Sequence, residues 1–227
     1  MNFVSHYYFE RYVHEPERVL GGILPDLLKN ADKSYSFQPQ RFEEFLFSHP
    51  QTRAISEGWY RHVEVDKIWH NCDYFLTHSH ELRKRIDPVI ADLPVRASFL
   101  AHVSMEILLD HLLVANQVIN LARFYEHLEA ANRTAINMYL KHIGLEDSSK
   151  FFNFYDRFLQ SQYMYDYGQI ENLSHALFNI CKRVWNFNTQ SVHHQLLTEV
   201  LADYTNNYLM DYKDVFQYVK SNLTYLS

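Results

Sequence analysis

The segment RHVEVDKIWH carries two imidazoles and one carboxylate at helical spacing. His62, Asp66 and His70 stand four residues apart, and side chains at positions i and i+4 lie over one another on a helix. Imidazole and carboxylate together bind Mn²⁺, Fe²⁺, Zn²⁺ or Mg²⁺, and imidazole favours the transition metals. The pattern predicts either a metal-binding stripe or the polar face of an amphipathic helix.

A second stripe lies in RASFLAHVSMEILLDHLLVANQ, which is apolar around most of a helical circumference. Such a helix belongs in the interior of a protein. His102, Glu106 and Asp110 nevertheless follow one another at four-residue steps, and His111 comes next. Because buried carboxylates are normally paired or bound to metal, the two stripes could share an ion. A hydrogen-bonded polar network in the core is the alternative.

The composition predicts the elements that must position these stripes. Only 5 Gly and 6 Pro occur in 227 residues, and apolar residues recur with helical periodicity between short turns. We expect an all-α protein, one compact multi-helix bundle formed by a single domain over 1–227. The expected helices are 3–13, 16–29, 39–47, 51–79, 79–87, 93–117, 119–142, 148–163, 165–188 and 190–224.

Charge and hydropathy narrow the class of protein. A net charge of -6 argues against nucleic-acid binding, which usually needs a basic surface. The short run Arg83, Lys84 and Arg85 is typical of a solvated helix face. The first residues lack a signal-peptide pattern, and no long uncharged apolar run is present. We therefore expect a cytoplasmic protein without membrane association.

Other familiar chemistries do not fit the sequence. Gly21 and Gly22 are followed by ILPD instead of the residues of a phosphate-binding loop, and no GxSxG motif is present. The Glu-x-x-His pair of di-iron bundles is also missing. Asp26 and His6 stand in apolar surroundings, where a single such residue is usually a cap or a core residue.

Four motifs in order resemble the acyl carrier protein phosphodiesterase family. They are MNFVSH, GGILPDLLK, GWYRHVEVD and MEILLDHLL, and the later YGQIENLSHALFNICKR is similar to a late helix of that family. The resemblance covers most of the first 120 residues and this later patch. It implies a fold related to the HD-type metal phosphohydrolases, with Mn or Mg as the metal and Fe or Zn as alternatives.

The resemblance also implies an activity and a partner. The expected reaction, part of fatty acid biosynthesis, is hydrolysis of holo-acyl carrier protein to the apo-protein and 4′-phosphopantetheine. Residues that match the family's motifs are expected to hold the metal (Asp26, His62, Asp66, Asp110 and His111) or to act in catalysis (His6, Asp110 and His111). Residues expected to support the metal ligands are His70, His102 and Glu106.

This chain departs from the family where the family usually reads His-x-His-Arg-Arg-Ile-Asp. Tyr60 replaces a histidine, and Val63 and Glu64 replace the two arginines. Arginines bind phosphate through hydrogen bonds and attract an acidic partner, whereas a glutamate repels both. Two alternatives therefore stay open: a metal phosphohydrolase acting on a different small phosphoester, and a non-catalytic helical binding protein with a polar core network.

Overall fold

The computed structural model describes residues 1–224, and all their regular elements are helices. The predicted all-α class is confirmed. The α-helices are α1 (Phe3–Glu10), α2 (Pro16–Gly21), α3 (Leu24–Ala31), α4 (Glu43–Leu46), α5 (Pro50–Asn71), α6 (Asp73–Ile86), α7 (Ala97–Ala115), α8 (Leu121–Ala130), α9 (Arg133–His142), α10 (Ser149–Ser161), α11 (Ile170–Lys182), α12 (Ser191–Tyr208) and α13 (Tyr212–Asn222). Short 3-10 helices cover Pro39–Phe42, Asp87–Ile90 and Tyr163–Gly168.

The chain forms two compact units, and the division between them falls within α5. The first unit contains Asn2–Asp66 and Ile119–Tyr163, together with Thr224 among the described residues. The second unit contains Met1, Lys67–Val118 and Met164–Leu223. The expected single domain over 1–227 stays a prediction.

The first unit is built around aromatic side chains. Its helices α2 and α8 pack together, as do α3 and α10. Side chains exposed by less than 2% include Phe124, Tyr125, Tyr139, Phe151 and Phe158. Since full burial of a large apolar side chain contributes about 1.5–3 kcal/mol, these rings hold in place the short helices that carry the polar residues.

The second unit is centred on α7, which packs against α6 and α11. By length and composition, one helix in the described part of the chain is apolar enough to cross a bilayer; it is α7, with a mean hydropathy of 1.4. Most of α7 is buried within the protein, as is usual for a core helix. Leu100, Met105, Leu108 and Leu113 are all inaccessible to solvent.

Several predicted helices are divided in the structure. The helix expected over 51–79 breaks at Cys72, whose extended backbone (φ -81°, ψ 147°) precedes α6. The helix expected over 119–142 breaks at Asn132, whose side-chain oxygen accepts hydrogen bonds from the backbone nitrogens of Thr134 and Ala135 and so starts α9. Asparagine competes with helix continuation because its short side chain can cap a new first turn.

Two further predicted helices divide where the chain turns. The helix expected over 16–29 ends at Gly21, and α3 starts at Leu24, directly before Pro25. Proline is well tolerated in the first turn of a helix but not in the interior. The helix expected over 190–224 is interrupted between Tyr208 and Tyr212; nothing in the local sequence explains that second break.

Candidate metal centre

Glycines bring the backbones of α2 and α5 into direct contact in the first unit. A Cβ atom on Gly21 would lie 2.1 Å from the carbonyl oxygen of Ile55, and one on Gly58 would lie 2.1 Å from that of Arg18. No side chain larger than hydrogen fits at either position. The close approach places the end of α2 against the middle of α5, one turn before His62.

The close contact between α2 and α5 determines which ring nitrogen of His62 carries the hydrogen. Its Nδ1 lies 3.0 Å from the carbonyl oxygen of Gly22, and because a carbonyl can only accept, Nδ1 must donate the hydrogen. Burial lowers the pKa of His62 well below its ordinary value, an effect to which the neighbouring His6 adds. The ring is therefore neutral, and its Nε2 carries a lone pair.

Two carboxylates lie near Nε2 of His62. Nε2 lies 3.7 Å from Oδ2 of Asp66 and 3.9 Å from Oδ1 of Asp26, and both separations are too long for a hydrogen bond. An imidazole nitrogen and carboxylate oxygens grouped this closely are atoms that can bind a cation. This arrangement is what a bound cation would stabilise.

His6 completes the group from the other side. Its ring stacks on that of His62 with centroids 3.8 Å apart and planes 19° apart, and its Nε2 lies 3.2 Å from Oδ1 of Asp66. Burial would raise the pKa of Asp66, but the hydrogen bond from His6 and the charge of that ring contribute to holding the pKa well below its usual range. Asp66 is thus a carboxylate at neutral pH.

The donor set and spacing fit a divalent metal ion. One ligand atom from each of His6, His62 and Asp66 lies within 4.8 Å of the others, and we call this group the His62 site. Ligands bonded at about 2.0–2.2 Å lie about 3–3.6 Å apart. Similar distances separate Nε2 of His6 from Oδ1 of Asp66 (3.2 Å) and Nε2 of His62 from Oδ2 of Asp66 (3.7 Å). Asp26, at 3.9 Å, lies at the edge of the site.

Access to the His62 site differs between its two sides. The side chains of His6 and His62 are exposed by only 1% and 5%, whereas those of Asp26 and Asp66 are exposed by 29% and 31%. The imidazoles therefore form the floor and the carboxylates form the rim. An ion or a substrate must approach from the carboxylate side.

The residues expected to support the ligands form a second group in the second unit. Nε2 of His70 and Nε2 of His102 lie 3.2 and 3.4 Å from Oε1 of Glu106, and the amino nitrogen of Met1 lies 3.3 Å from the same oxygen. Burial would raise the pKa of Glu106, but the Met1 ammonium and the two histidines hold it well below its usual range. We call His70, His102 and Glu106 the Glu106 site.

Asp110 and His111 also belong to the second unit. Asp110 is inaccessible to solvent. Nδ1 of His111 donates to the carbonyl oxygen of Tyr167 at 2.7 Å, and burial lowers the pKa of its imidazole. Its ring lines a pocket with Glu171 and Thr205. Within residues 1–224, neither Asp110 nor His111 belongs to a close three-residue group, so their roles stay predictions.

The positions where the family has basic residues are occupied differently in the structure. Val63 is 51% exposed, and Glu64 forms an ion pair of 3.4 Å with Arg61. Arg61 is itself largely buried and lies 3.6 Å from Glu10. The hydroxyl of Tyr60 donates to Glu43 at 2.7 Å. Arg61 is therefore already paired and does not stand in for the missing arginines.

The basic run on α6 is mostly paired as well. Lys84 contacts Glu81 at 2.7 Å, and Arg85 contacts Asp203 at 2.7 Å. Arg83 and Lys84 are exposed and Arg85 is half-buried, which fits the solvated helix face predicted for this run.

Sequence reasoning missed the residues that position His62. Gly58 is the only glycine of the 22-residue α5, and a glycine inside a helix usually has a packing or functional reason. That signal, together with the Gly21–Gly22 pair, points to a close crossing of two helices. The partner carbonyl of Gly22 has no sequence signature.

No protein-family model, curated protein or solved structure matches this chain.

Proposed function

We propose that this chain is a metal-dependent phosphoric ester hydrolase whose reaction takes place at the His62 site. The observation that supports this proposal is the orientation of His62: its Nδ1 is committed to the Gly22 carbonyl while its Nε2 faces two carboxylates. The donor set of imidazole and carboxylate suits Mn²⁺, Fe²⁺ or Zn²⁺ and also admits Mg²⁺.

The chemistry required of the site is hydrolysis at phosphorus. A divalent cation held here would polarise a phosphoryl oxygen and lower the pKa of an attacking water. Water oxygen forms a bond to phosphorus, the bond from phosphorus to the ester oxygen breaks, and that oxygen takes up a proton. His6, with a side chain exposed by 1%, is better placed to hold an ion than to reach a leaving group.

The proposed substrate is the phosphodiester that joins 4′-phosphopantetheine to a serine of holo-acyl carrier protein. The resemblance of the four ordered motifs supports this choice, and two of them contain Asp26, His62 and Asp66. The exposed carboxylate rim is compatible with a substrate presented by another protein, because a surface-bound phosphodiester can approach only from that side.

The test is the intact mass of holo-acyl carrier protein after incubation with the protein and Mn²⁺. We expect conversion to the mass of the apo-protein, and we expect Asp66→Asn to lose at least about 100-fold in rate, since it removes a metal ligand. Glu129→Gln, at an exposed carboxylate of the first unit, serves as the matched control. An unchanged carrier mass with Mn²⁺, Mg²⁺, Fe²⁺ and Zn²⁺ would exclude this substrate.

A small phosphoester is the second candidate, and the surface of α5 favours it. The exposed Val63 and the acidic Glu64 provide no positive charge that could bind an acidic carrier protein. Turnover of a chromogenic phosphodiester that depends on Asp66, without release of phosphopantetheine from carrier protein, would select this candidate. If metal analysis finds no ion and neither ester is cleaved, the remaining alternative is correct: a non-catalytic helical binding protein with a polar core network.

A further inference from the structure

We propose that the Glu106 site is a separate binding site for a transition-metal ion of the zinc class. The proposal does not depend on the proposed function, because the Glu106 site shares no residue with the His62 site. It contains two imidazoles and one carboxylate, a donor set for which imidazole favours Zn²⁺ and Co²⁺ over Mg²⁺ and Ca²⁺. One ligand atom from each residue lies within 4.8 Å of the others.

Helix geometry brings these three side chains together. His102 and Glu106 stand one turn apart on α7, and His70 lies in the last turn of α5. The i and i+4 positions on a helix are the spacing used by many paired ligands, because both side chains then project on the same face. The third ligand comes from a different helix, so a bound ion would link α7 to the end of α5.

The distances within the group match the spacing of ligands around one ion. Nε2 of His70 lies 3.2 Å and Nε2 of His102 lies 3.4 Å from Oε1 of Glu106. In a tetrahedral zinc site with bonds of about 2.0–2.1 Å, neighbouring ligand atoms lie about 3.3–3.4 Å apart. The three atoms can therefore bind an ion with only small side-chain movements.

Phe75 restrains both imidazoles. Its buried ring meets that of His70 edge-on at 5.2 Å and 89°, and that of His102 at 4.9 Å and 85°. The two imidazoles lie 19° from parallel with centroids 5.1 Å apart. Because packing already limits their rotation, less conformational entropy is lost when an ion binds.

The site is open enough to take up an ion from solution. The side chains of His70 and His102 are exposed by 32% and 43%, and that of Glu106 by 17%. Three protein ligands with solvent access leave room for water in a fourth position. The Met1 ammonium, 3.3 Å from Glu106, would compete with the cation for this carboxylate.

Titration of the tag-free protein, first stripped with chelator, tests the proposal. Zn²⁺ binding is measured by equilibrium dialysis, and Co²⁺ binding by visible absorption. We expect two ions per chain in the wild type, one in His102→Gln and one in Asp66→Asn. The matched control His80→Gln, at an exposed histidine of α6, should retain two. Circular dichroism and the Tm of the metal-free proteins show whether each variant is folded.

The outcomes separate the two sites. One ion that is lost in His102→Gln and retained in Asp66→Asn would support the Glu106 site and contradict the His62 site. If binding by His102→Gln and by a second variant, Glu106→Gln, is unchanged in stoichiometry and affinity, the Glu106 site is excluded. Loss of both ions in either variant would also overturn the proposal, because the two sites would then not be separate. An increase of Tm by Zn²⁺ in the wild type and in His80→Gln, and a smaller increase in His102→Gln, would agree with an ion that links α5 to α7.

Discussion

The carbonyl oxygen of Gly22 accepts a hydrogen bond of 3.0 Å from Nδ1 of His62, and this bond decides which nitrogen of His62 faces the carboxylates. It can form only because Gly58, one turn earlier on α5, lets the two backbones approach closely. Which nitrogen of His62 carries the proton therefore depends on Gly58, a residue that contributes no side chain.

Substitution of Gly58 by alanine should affect stability and metal binding together. Its new Cβ would lie 2.1 Å from the Arg18 carbonyl oxygen and 2.6 Å from the Gly22 nitrogen, and backbone atoms cannot rotate away. We expect a loss of about 1–3 kcal/mol or more in the free energy of unfolding, measured by urea denaturation, and weaker metal binding at the His62 site.

Gly168→Ala is the control for this substitution. Its Cβ would meet only Cγ1 of Val114 at 3.4 Å, an ordinary contact, so we expect a small change in stability. Equal stability and metal affinity of Gly58→Ala and the wild type would show that the close helix crossing is not required.

The metal-free protein should lose stability as the pH falls through about 6.5. Burial lowers the pKa of His62 well below its ordinary value of 6.5, so the folded state keeps this ring neutral where the unfolded state binds a proton. The free energy of unfolding therefore falls with decreasing pH in this range and is independent of His62 above it. The measurement is urea denaturation between pH 5 and 7.5 with chelator present.

His62→Asn isolates this contribution. The Asn side-chain nitrogen can still donate to the Gly22 carbonyl, but it does not titrate. We expect the slope of unfolding free energy against pH to become shallower by up to about 1.4 kcal/mol per pH unit. His80→Asn, at an exposed position, should leave the slope unchanged; an identical slope in both variants would contradict a neutral, buried His62.

An arginine introduced at Val63 should favour binding of an acidic carrier protein. The side chain is 51% exposed, so Val63→Arg is expected to leave the unfolding free energy within about 0.5 kcal/mol of the wild type. If the proposed function is correct, KM for holo-acyl carrier protein should fall, most strongly at low salt. Turnover of a small phosphodiester serves as the comparison, and an equal change on both substrates would argue against an electrostatic effect on the carrier.

The cap at Asn132 offers a test of the division between α8 and α9. Its side-chain oxygen accepts hydrogen bonds from two backbone nitrogens, at 2.9 and 3.1 Å. Asn132→Ala should cost about 1 kcal/mol of unfolding free energy, because it leaves these first-turn donors without their cap. Asn153→Ala, at an exposed position within α10, should be neutral; equal effects would mean that Asn132 does not act as a cap.

The all-α class was predictable because it depends on periodicity and on the scarcity of glycine and proline over the whole chain. The pairing of His62 with Asp66 was predictable because it is set by spacing within one helix. The grouping of His6 with these residues was expected only through resemblance, since contacts between distant segments depend on packing. The division of the long predicted helices was missed because an asparagine or an extended Cys72 redirects the chain without changing the apolar pattern.

The same limit explains why the histidines and carboxylates form two separate groups. His70 continues the four-residue series of His62 and Asp66, and spacing alone assigns all three to one stripe. The structure instead joins His70 to His102 and Glu106, because Phe75 and α7 surround its ring. Periodicity identifies the face of a helix but not the neighbour that this face meets.

The spacing of Gly58, His62 and Asp66 has an evolutionary consequence. All three lie on one side of α5, and the nine residues from Gly58 to Asp66 are uninterrupted helix, which fixes the helix crossing, the imidazole and the carboxylate relative to one another. Inserting or deleting one residue between Gly58 and Asp66 would turn the side chains that follow by about 100° around the helix axis. Descendants of this chain can therefore accept substitutions on the outer face of this segment, as at Val63, but we expect its length to be invariant.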